Sequence, residues 1–257
     1  MGICVNWKLV YASEVGTSHL LNDSPCQDSC WGHVDYLADG QPLLSLFVAD
    51  GAGSAVRGGE GADLAIESAA KFVAEKIDHG EFGLNDTLAT DIILAIRQCI
   101  YDAADDAKLR ARDYACTFLG VLSSSQGTLV FQIGDGGVVL DTGAGLELAV
   151  VPMTGEFANM TNFVTDDDAV TVLVTKYYPD RAIRIAAFTD GIQRLALNLA
   201  TNTPHEPFFS PFFNSMEIAN SEQEEMLQGL LIRFLASQPV NERTDDDKTL
   251  ALALWIN

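Results

Sequence analysis

Basic residues are scarce in this chain. Lys and Arg number 15 against 36 Asp and Glu, a formal net charge of −21. A surface of that sign repels nucleic acid and anionic lipid, and it steers basic partners inward. Long hydrophobic runs are also missing. Apolar residues make up 48% of the chain, yet none of their runs approaches the roughly 18 residues of a membrane span. The start, Met1-Gly2-Ile3-Cys4-Val5-Asn6-Trp7-Lys8, lacks a charged stretch followed by a long apolar one, so no secretory signal is read. Asn6 stands where an acylation motif opening at Gly2 calls for Ser or Thr. The cysteines are Cys4, Cys26, Cys30, Cys99 and Cys116. An odd count without a signal argues against a disulfide framework and for a reducing, cytoplasmic setting. Cys26 and Cys30 lie near His19 and His33, but no second Cys pair follows to complete a zinc site.

Repeats, low-complexity tracts and linkers are absent. Length alone permits one domain or two; without a linker, residues 1–257 read as one. Residues 43–49 form an apolar run that ends at Asp50-Gly51, a buried strand feeding a turn. From about Gly58 to Ile77, residues such as Ala62, Ala65, Ala69 and Val73 recur at helical spacing. A second helix is expected from about Asp86 to Arg112. Strands are expected at 117–123 and 128–133, at 136–141 and 146–151, and as a further pair at 169–175 and 182–189. Three prolines among several phenylalanines make 199–219 read as a long loop or flap, with a second flap at about 155–168. A late helix from Ser221 to Ser237, opened by Ser221, precedes a closing strand, Thr249 to Ile256. Helices in two blocks among antiparallel strands indicate an α+β fold.

Three apolar stretches end alike, at Asp50-Gly51, Asp135-Gly136 and Asp190-Gly191, and Asp245-Asp246-Asp247 stands before the last strand. One Asp-Gly is an ordinary turn. Three, with an acidic triplet, place several carboxylates at strand ends that can share one rim, where they repel unless a cation lies between them. Carboxylates and carbonyls suit Mg²⁺ or Mn²⁺, and glycine after the aspartate lets the Gly51 carbonyl join the ligands. Two such cations about 3.5–4 Å apart can polarise a phosphoryl group and activate water, with no covalent enzyme intermediate. A cysteine nucleophile is not needed.

The order of these motifs resembles the protein phosphatase 2C family of metal-dependent Ser/Thr phosphatases. The resemblance runs from Gly16 to Trp255. It is carried by Cys26-Gln27-Asp28-Ser29, Val48-Ala49-Asp50-Gly51-Ala52-Gly53, Ala115-Cys116-Thr117 with Ile133-Gly134-Asp135-Gly136, Thr189-Asp190-Gly191-Ile192, and Asp246-Asp247-Lys248-Thr249. Gly16-Thr17-Ser18-His19 and Gly155-Glu156-Phe157-Ala158-Asn159 look like a bacterial branch. The resemblance implies a four-layer sandwich, two packed antiparallel β-sheets flanked by antiparallel helix pairs, with metals at one end. It implies Mn²⁺ or Mg²⁺ at two sites. Asp50 would bridge them, the Gly51 carbonyl would serve one, and Asp190 and Asp246 the other. Asp28 would bind through water, and Asp135 would help hold a third, weaker cation. The partners implied are a phosphorylated protein substrate and the Ser/Thr kinase that makes it, with neither nucleic acid nor membrane.

Three positions depart from the family. Gln27 stands where many relatives carry Glu, Ala52 where some carry His, and Asp23 where eukaryotic relatives carry a phosphate-binding Arg. His19 and Arg57 are the candidates for phosphate capture and leaving-group protonation. The rival readings are a catalytically impaired relative that only binds, a small-substrate phosphomonoesterase, and a calcium-stabilised module. The last packs its ligands into one loop, unlike the scattered aspartates here.

Overall fold

The central strands are apolar on both faces, which dictates a layered molecule. In the computed structural model, which describes residues 7–152 and 161–256, the elements follow in order. They are β1 (Trp7–Glu14), α1 (Thr17–Leu21), β2 (Asp28–Tyr36), β3 (Pro42–Asp50), α2 (Gly58–Asp78), α3 (Asp86–Ala107), β4 (Phe118–Ser124), β5 (Gly127–Ile133), β6 (Gly137–Asp141) and β7 (Glu147–Leu148). Then come α4 (Ala169–Val172), β8 (Val174–Tyr178), β9 (Arg184–Phe188), α5 (Gln193–Ala196), β10 (Leu197–Asn198), β11 (Thr203–Pro204), α6 (Glu206–Ile218), α7 (Ser221–Leu235), α8 (Gln238–Asn241) and β12 (Lys248–Trp255). The readings at Met1 to Asn6 and Gly155 to Asn159 lie outside the described residues.

Two five-stranded sheets carry the fold, in the orders β1-β12-β9-β6-β7 and β2-β3-β4-β5-β8. Every pairing within them is antiparallel. Along β3 the side chains alternate between two apolar layers. Leu43 and Phe47 face α2 and α3, where Ala62, Ala65, Ala69, Ile92, Ile96 and Ile100 close the layer. Leu44, Leu46 and Val48 face the other sheet and meet Val138, Leu140, Ile185, Ala187 and Ala251. The outer face of the first sheet is covered by α6 and α7, through Phe209, Phe213, Met216, Leu231 and Leu235. The result is the α+β sandwich with flanking helix pairs that the motif order implies.

Several boundaries differ from the sequence reading. The second helix stops at Ala107, where Lys108 turns left-handed at φ 56° and the Leu109 N–H donates to the Ala104 carbonyl. Asp105 and Asp106 stand at the negative end of the helix dipole, where carboxylates are disfavoured. A separate 3₁₀ turn covers Ala111–Tyr114. The expected strand at 146–151 is two residues long.

The strands near 169–175 and 182–189 are not a pair. Ala169–Val172 is helical, β8 joins β5, and β9 lies in the other sheet between β12 and β6. The expected flap at 199–219 contains α6. Pro207 sits in its first turn, where a missing N–H costs nothing. Pro211 is inside it, tolerated because Phe209, Phe213 and Met216 fall on one face and bury. The cap of α7 is Asn220, whose side chain accepts from the Gln223 N–H while Gln223 returns the bond. Strands β1 and β2 were not foreseen. Both are sheet edges with polar, half-buried positions, so neither shows an apolar run.

Candidate metal centre

Strand register brings the aspartates to one end of both sheets. Asp28 opens β2 directly opposite Asp50, which closes β3. Asp135 follows β5, Asp190 follows β9, and Asp246 precedes β12. Gly51 is pressed against the start of α2: a Cβ there would sit 2.3 Å from the Gly58 carbonyl carbon. Gly191 lies so close to the Asp247 carbonyl that a Cβ would be 1.8 Å from its oxygen. These approaches need glycine and draw the Asp50, Asp190 and Asp246 loops together.

The loops enclose a cleft of about 210 Å³ lined by His19, Asp50, Gly51, Ala52, Gly53, Ser54, Thr117, Asp135, Thr161, Phe163, Asp190 and Asp246. Six of the expected site residues line it. Asp28 is buried behind, at 8% exposure. Hydroxyls of Thr189 and Thr249 each donate to its Oδ2 at 2.7 Å. The Asp50 N–H donates to Thr117 Oγ1 at 3.1 Å, and the Thr117 N–H donates to the Asp50 carbonyl at 2.8 Å. Asp135 accepts from the Thr161 hydroxyl at 2.5 Å, and its carbonyl accepts from Gln193 Nε2 at 2.6 Å.

Sequence reasoning missed Asp247. It is buried, and its Oδ1 and Oδ2 accept from the Gly16 and Gln27 N–H groups at 2.6 Å each. His19 Nδ1 lies 2.9 Å from its Oδ2, without the angle of a hydrogen bond. Beside it, buried Lys248 donates to the Val15 carbonyl and Asn241 Oδ1, both at 2.9 Å. Asp247 thereby ties three segments behind the cleft. The available signal was its place in the acidic triplet; nothing in the sequence distinguishes the inward carboxylate from its neighbours. Thr189 and Thr249 were legible only as residues adjoining the motifs. Arg57 is not at the cleft. Its guanidinium meets the Tyr114 hydroxyl at 2.9 Å and Glu60 at 3.2 Å. Asp23 is exposed in a left-handed turn.

The electrostatics follow from burial without a counterion. Asp50 is held well above the usual carboxylate range by burial first, then by Asp28, Asp190, Asp246 and Asp135. Burial also pushes Asp28 to about 7 against the pull of its two threonine hydroxyls. Asp190 rises to about 6 through burial, Asp135 and Asp246. Such a group holds protons until a cation replaces them. The donors are carboxylates and the Gly51 carbonyl, all hard oxygen ligands, so the set fits Mg²⁺ or Mn²⁺. Among the described residues no three His, Cys, Asp or Glu side chains form a ready cage. A cation there would need the Gly51 carbonyl and water to complete its ligands, which Mg²⁺ accepts. The Cys26 thiol is pushed up by burial, Asp28 and Asp247, and stays protonated, unsuited to attack.

Two packed antiparallel sheets whose strand ends bring carboxylate oxygens to one rim are a frame that fits a metal-dependent hydrolase. The profile described as "Protein phosphatase 2C" matches residues 15–232. Serine/threonine-protein phosphatase 3 of Escherichia coli (strain K12) is 59% identical over 251 residues, 98% of this chain and 99% of that protein. The chain belongs to the protein phosphatase 2C family and is a phosphatase; the family depends on divalent metal. Its fold is shared with the serine/threonine phosphatase Stp1 from Staphylococcus aureus, at TM-score 0.59, 13% identity, and 100% and 98% coverage of the two chains. It is shared also with the S. agalactiae serine/threonine phosphatase, at TM-score 0.58, 14% identity, and 98% and 100% coverage. Among the described residues no helix is long and apolar enough to cross a membrane.

Proposed function

We propose that this phosphatase hydrolyses phosphoserine and phosphothreonine in protein substrates at the carboxylate cleft, with Mn²⁺ or Mg²⁺ held by Asp50, the Gly51 carbonyl, Asp190 and Asp246. The observation that carries this reading is the raised group of Asp28, Asp50 and Asp190 beside Asp135 and Asp246, with no Lys or Arg among the described residues that line the cleft. Bound cations would supply charge neutralisation to the phosphoryl group and lower the pKa of water. The chain's residues do the positioning. Thr117 fixes the Asp50 backbone, Thr189 and Thr249 orient Asp28, and Thr161 and Gln193 hold Asp135.

His19 faces the cleft beside Asp247 and is assigned the proton for the leaving oxygen, in the absence of a histidine at Ala52. Asp135 is assigned a third, weaker cation site. Arg57, bound to Glu60 and Tyr114, is dropped as the phosphate clamp. The phosphoprotein implies a Ser/Thr kinase as its source. The cytoplasmic setting is supported by the free thiols of Cys26, Cys30, Cys99 and Cys116. The single-domain reading is supported by the pairing of β1 with β12 from opposite ends of the chain.

The test is hydrolysis of p-nitrophenyl phosphate and of a phosphothreonine peptide, with and without Mn²⁺. Both should require metal, and Asp50→Asn or Asp190→Asn should cost about 10³-fold or more in turnover. Turnover of the small ester alone would favour a small-substrate phosphomonoesterase. Metal binding without turnover of either would favour an impaired binding protein.

A further inference from the structure

Carbonyl oxygens of a loop need donors as those of a strand do, and a loop has no ladder to supply them. Residues 161–166 run beside the cleft, ahead of α4. Two of them line it: Phe163, and Thr161, whose hydroxyl donates to Asp135 Oδ2 at 2.5 Å. The three residues after Phe163 have their carbonyls held from α3. Arg97 Nη1 donates to the Val164 and Asp166 carbonyls, at 2.5 Å each. The Tyr101 hydroxyl donates to the Thr165 carbonyl between them at 3.4 Å. Arg97 and Tyr101 stand at i and i+4, so they share one face of the helix. Arg97 Nη2 donates to the Tyr101 hydroxyl at 3.3 Å.

The same segment is joined to the metal centre on its other side. The Val164 N–H donates to the Cys116 carbonyl at 2.9 Å, and Cys116 is bridged to Gly51. The Phe163 N–H donates to Asp166 Oδ2 at 2.8 Å, and the Asp166 N–H returns a bond to the Phe163 carbonyl at 3.1 Å. Val164 is fully buried in the apolar layer beneath α2 and α3. Burial is non-directional and fixes only the depth of the loop. Hydrogen bonds to three successive carbonyls fix the orientation of its peptides, and with it the place of Thr161 and Phe163 in the cleft.

We propose that Arg97 is a positioning residue for the cleft. From α3 it sets segment 161–166 so that Thr161 reaches Asp135 and Phe163 forms a wall for a bound phosphopeptide. Arg97 touches no residue that lines the cleft and acts through the loop alone. The role given to Phe163 rests on the phosphoprotein reading above. One nitrogen serves two carbonyls, so a lysine ammonium, with three donors, can replace it in large part.

Arg97→Met should lower kcat/KM on a phosphothreonine peptide by about 10–100-fold, the range for groups that hold reactive ones in place. The loss on p-nitrophenyl phosphate should be smaller, because that ester presents no peptide to Phe163 and needs little protonation. Arg97→Lys should recover most of the loss. Tyr101→Phe, which removes one hydroxyl, should show the same bias against the peptide at a smaller size, and it carries the comparison if Arg97→Met melts below the assay temperature. Arg97→Met combined with Thr161→Val should lose clearly less than the product of the two single losses, since both act through one segment. Hydrogen exchange at the Val164 amide should quicken about tenfold in Arg97→Met. Equal losses on the two substrates, multiplying losses in the double variant, or a lysine no better than methionine would each overturn the proposal. An unaltered chain that cleaves the ester and no phosphopeptide would instead sink the phosphoprotein reading. The Val164 amide then still decides whether Arg97 sets the loop, and unchanged exchange there would overturn that too.

Discussion

Asp28 and Asp141 are both buried, at 8% and 6% exposure, yet they are held in opposite ways. Asp141 accepts from Arg184 Nε and Nη2 at 3.0 and 2.6 Å, and from the Gly143 and Gly145 N–H groups at 2.7 and 2.9 Å. Burial pushes it up, but Arg184 and the two amides together hold it below the usual carboxylate range. Asp28 has two threonine hydroxyls and faces Asp247 and Asp190, so burial prevails and it rises to about 7. One carboxylate is satisfied by the fold. The other is left short of positive charge, and a buried carboxylate in that state is a candidate partner for a cation supplied from outside.

The largest effect that can sharpen this contrast is on turnover. Asp135→Ala should lower kcat on a phosphothreonine peptide by about 10²–10⁴, the range for losing acid catalysis, because the cation assigned to Asp135 would position a water that assists His19 in protonating the leaving oxygen. The loss should be smaller on p-nitrophenyl phosphate, whose leaving group needs little protonation. Asp141→Asn should leave kcat within about twofold. Equal kcat for Asp135→Ala and the unaltered chain on the peptide would make Asp135 a turn residue only.

Next comes metal affinity. Asp28→Asn keeps a side chain of the same size while removing its charge, and should weaken Mn²⁺ binding by about 10–100-fold, as loss of supporting groups around a metal does. Calorimetry with metal reads this directly. An unchanged affinity would place Asp28 with Asp141 as a fold residue.

Stability separates them further. A ligand bound only by the native chain adds about 2.7 kcal/mol at a hundredfold excess over Kd, so melts in EDTA and in Mn²⁺ should differ by that order. Coincident melts would break the comparison at its root. Asp141→Ala should cost about 2 kcal/mol with or without metal, because it removes the buried partner of Arg184, leaving it only Glu206 at 3.8 Å, and frees two turn amides.

The smallest effect is the slope with pH. Asp28 and Asp190 sit above their unfolded values of about 4, so the folded, metal-free chain binds more protons than the unfolded one. Their contribution is full below about pH 4 and is lost as pH rises through about 6 to 7. Asp141 has the opposite sign: its contribution is present above about pH 4 and lost as pH falls through its lowered value. Denaturant melts in EDTA across pH 4 to 7, compared between the unaltered chain and Asp28→Asn, should show the falling component shrink in the variant.

Much of this site was legible residue by residue. Asp50, Asp135 and Asp190 each end an apolar run before glycine, a pattern that local turn chemistry and burial both imprint on the sequence. Asp247 and Asp246 are neighbours with opposite fates, one buried and one exposed, and chain order does not say which turns inward. Arg57 failed as a candidate because its partners, Glu60 and Tyr114, come from its own helix and from a turn 57 residues away. In α6, Pro211 read as a breaker, since its local penalty is visible and the burial of Phe209 and Phe213 is not.

The sequence by itself determined the buried strands, the two long helices behind them and the carboxylates at strand ends, because periodicity and turn preference are local. Tertiary structure decided which strands share a sheet, separating β8 from β9. It set Asp28 opposite Asp50, and it gave Arg184 to Asp141 while giving Asp28 the Thr189 and Thr249 hydroxyls. Whether a buried charge finds its counter-charge depends on which distant segments pack beside it, and no local pattern encodes that.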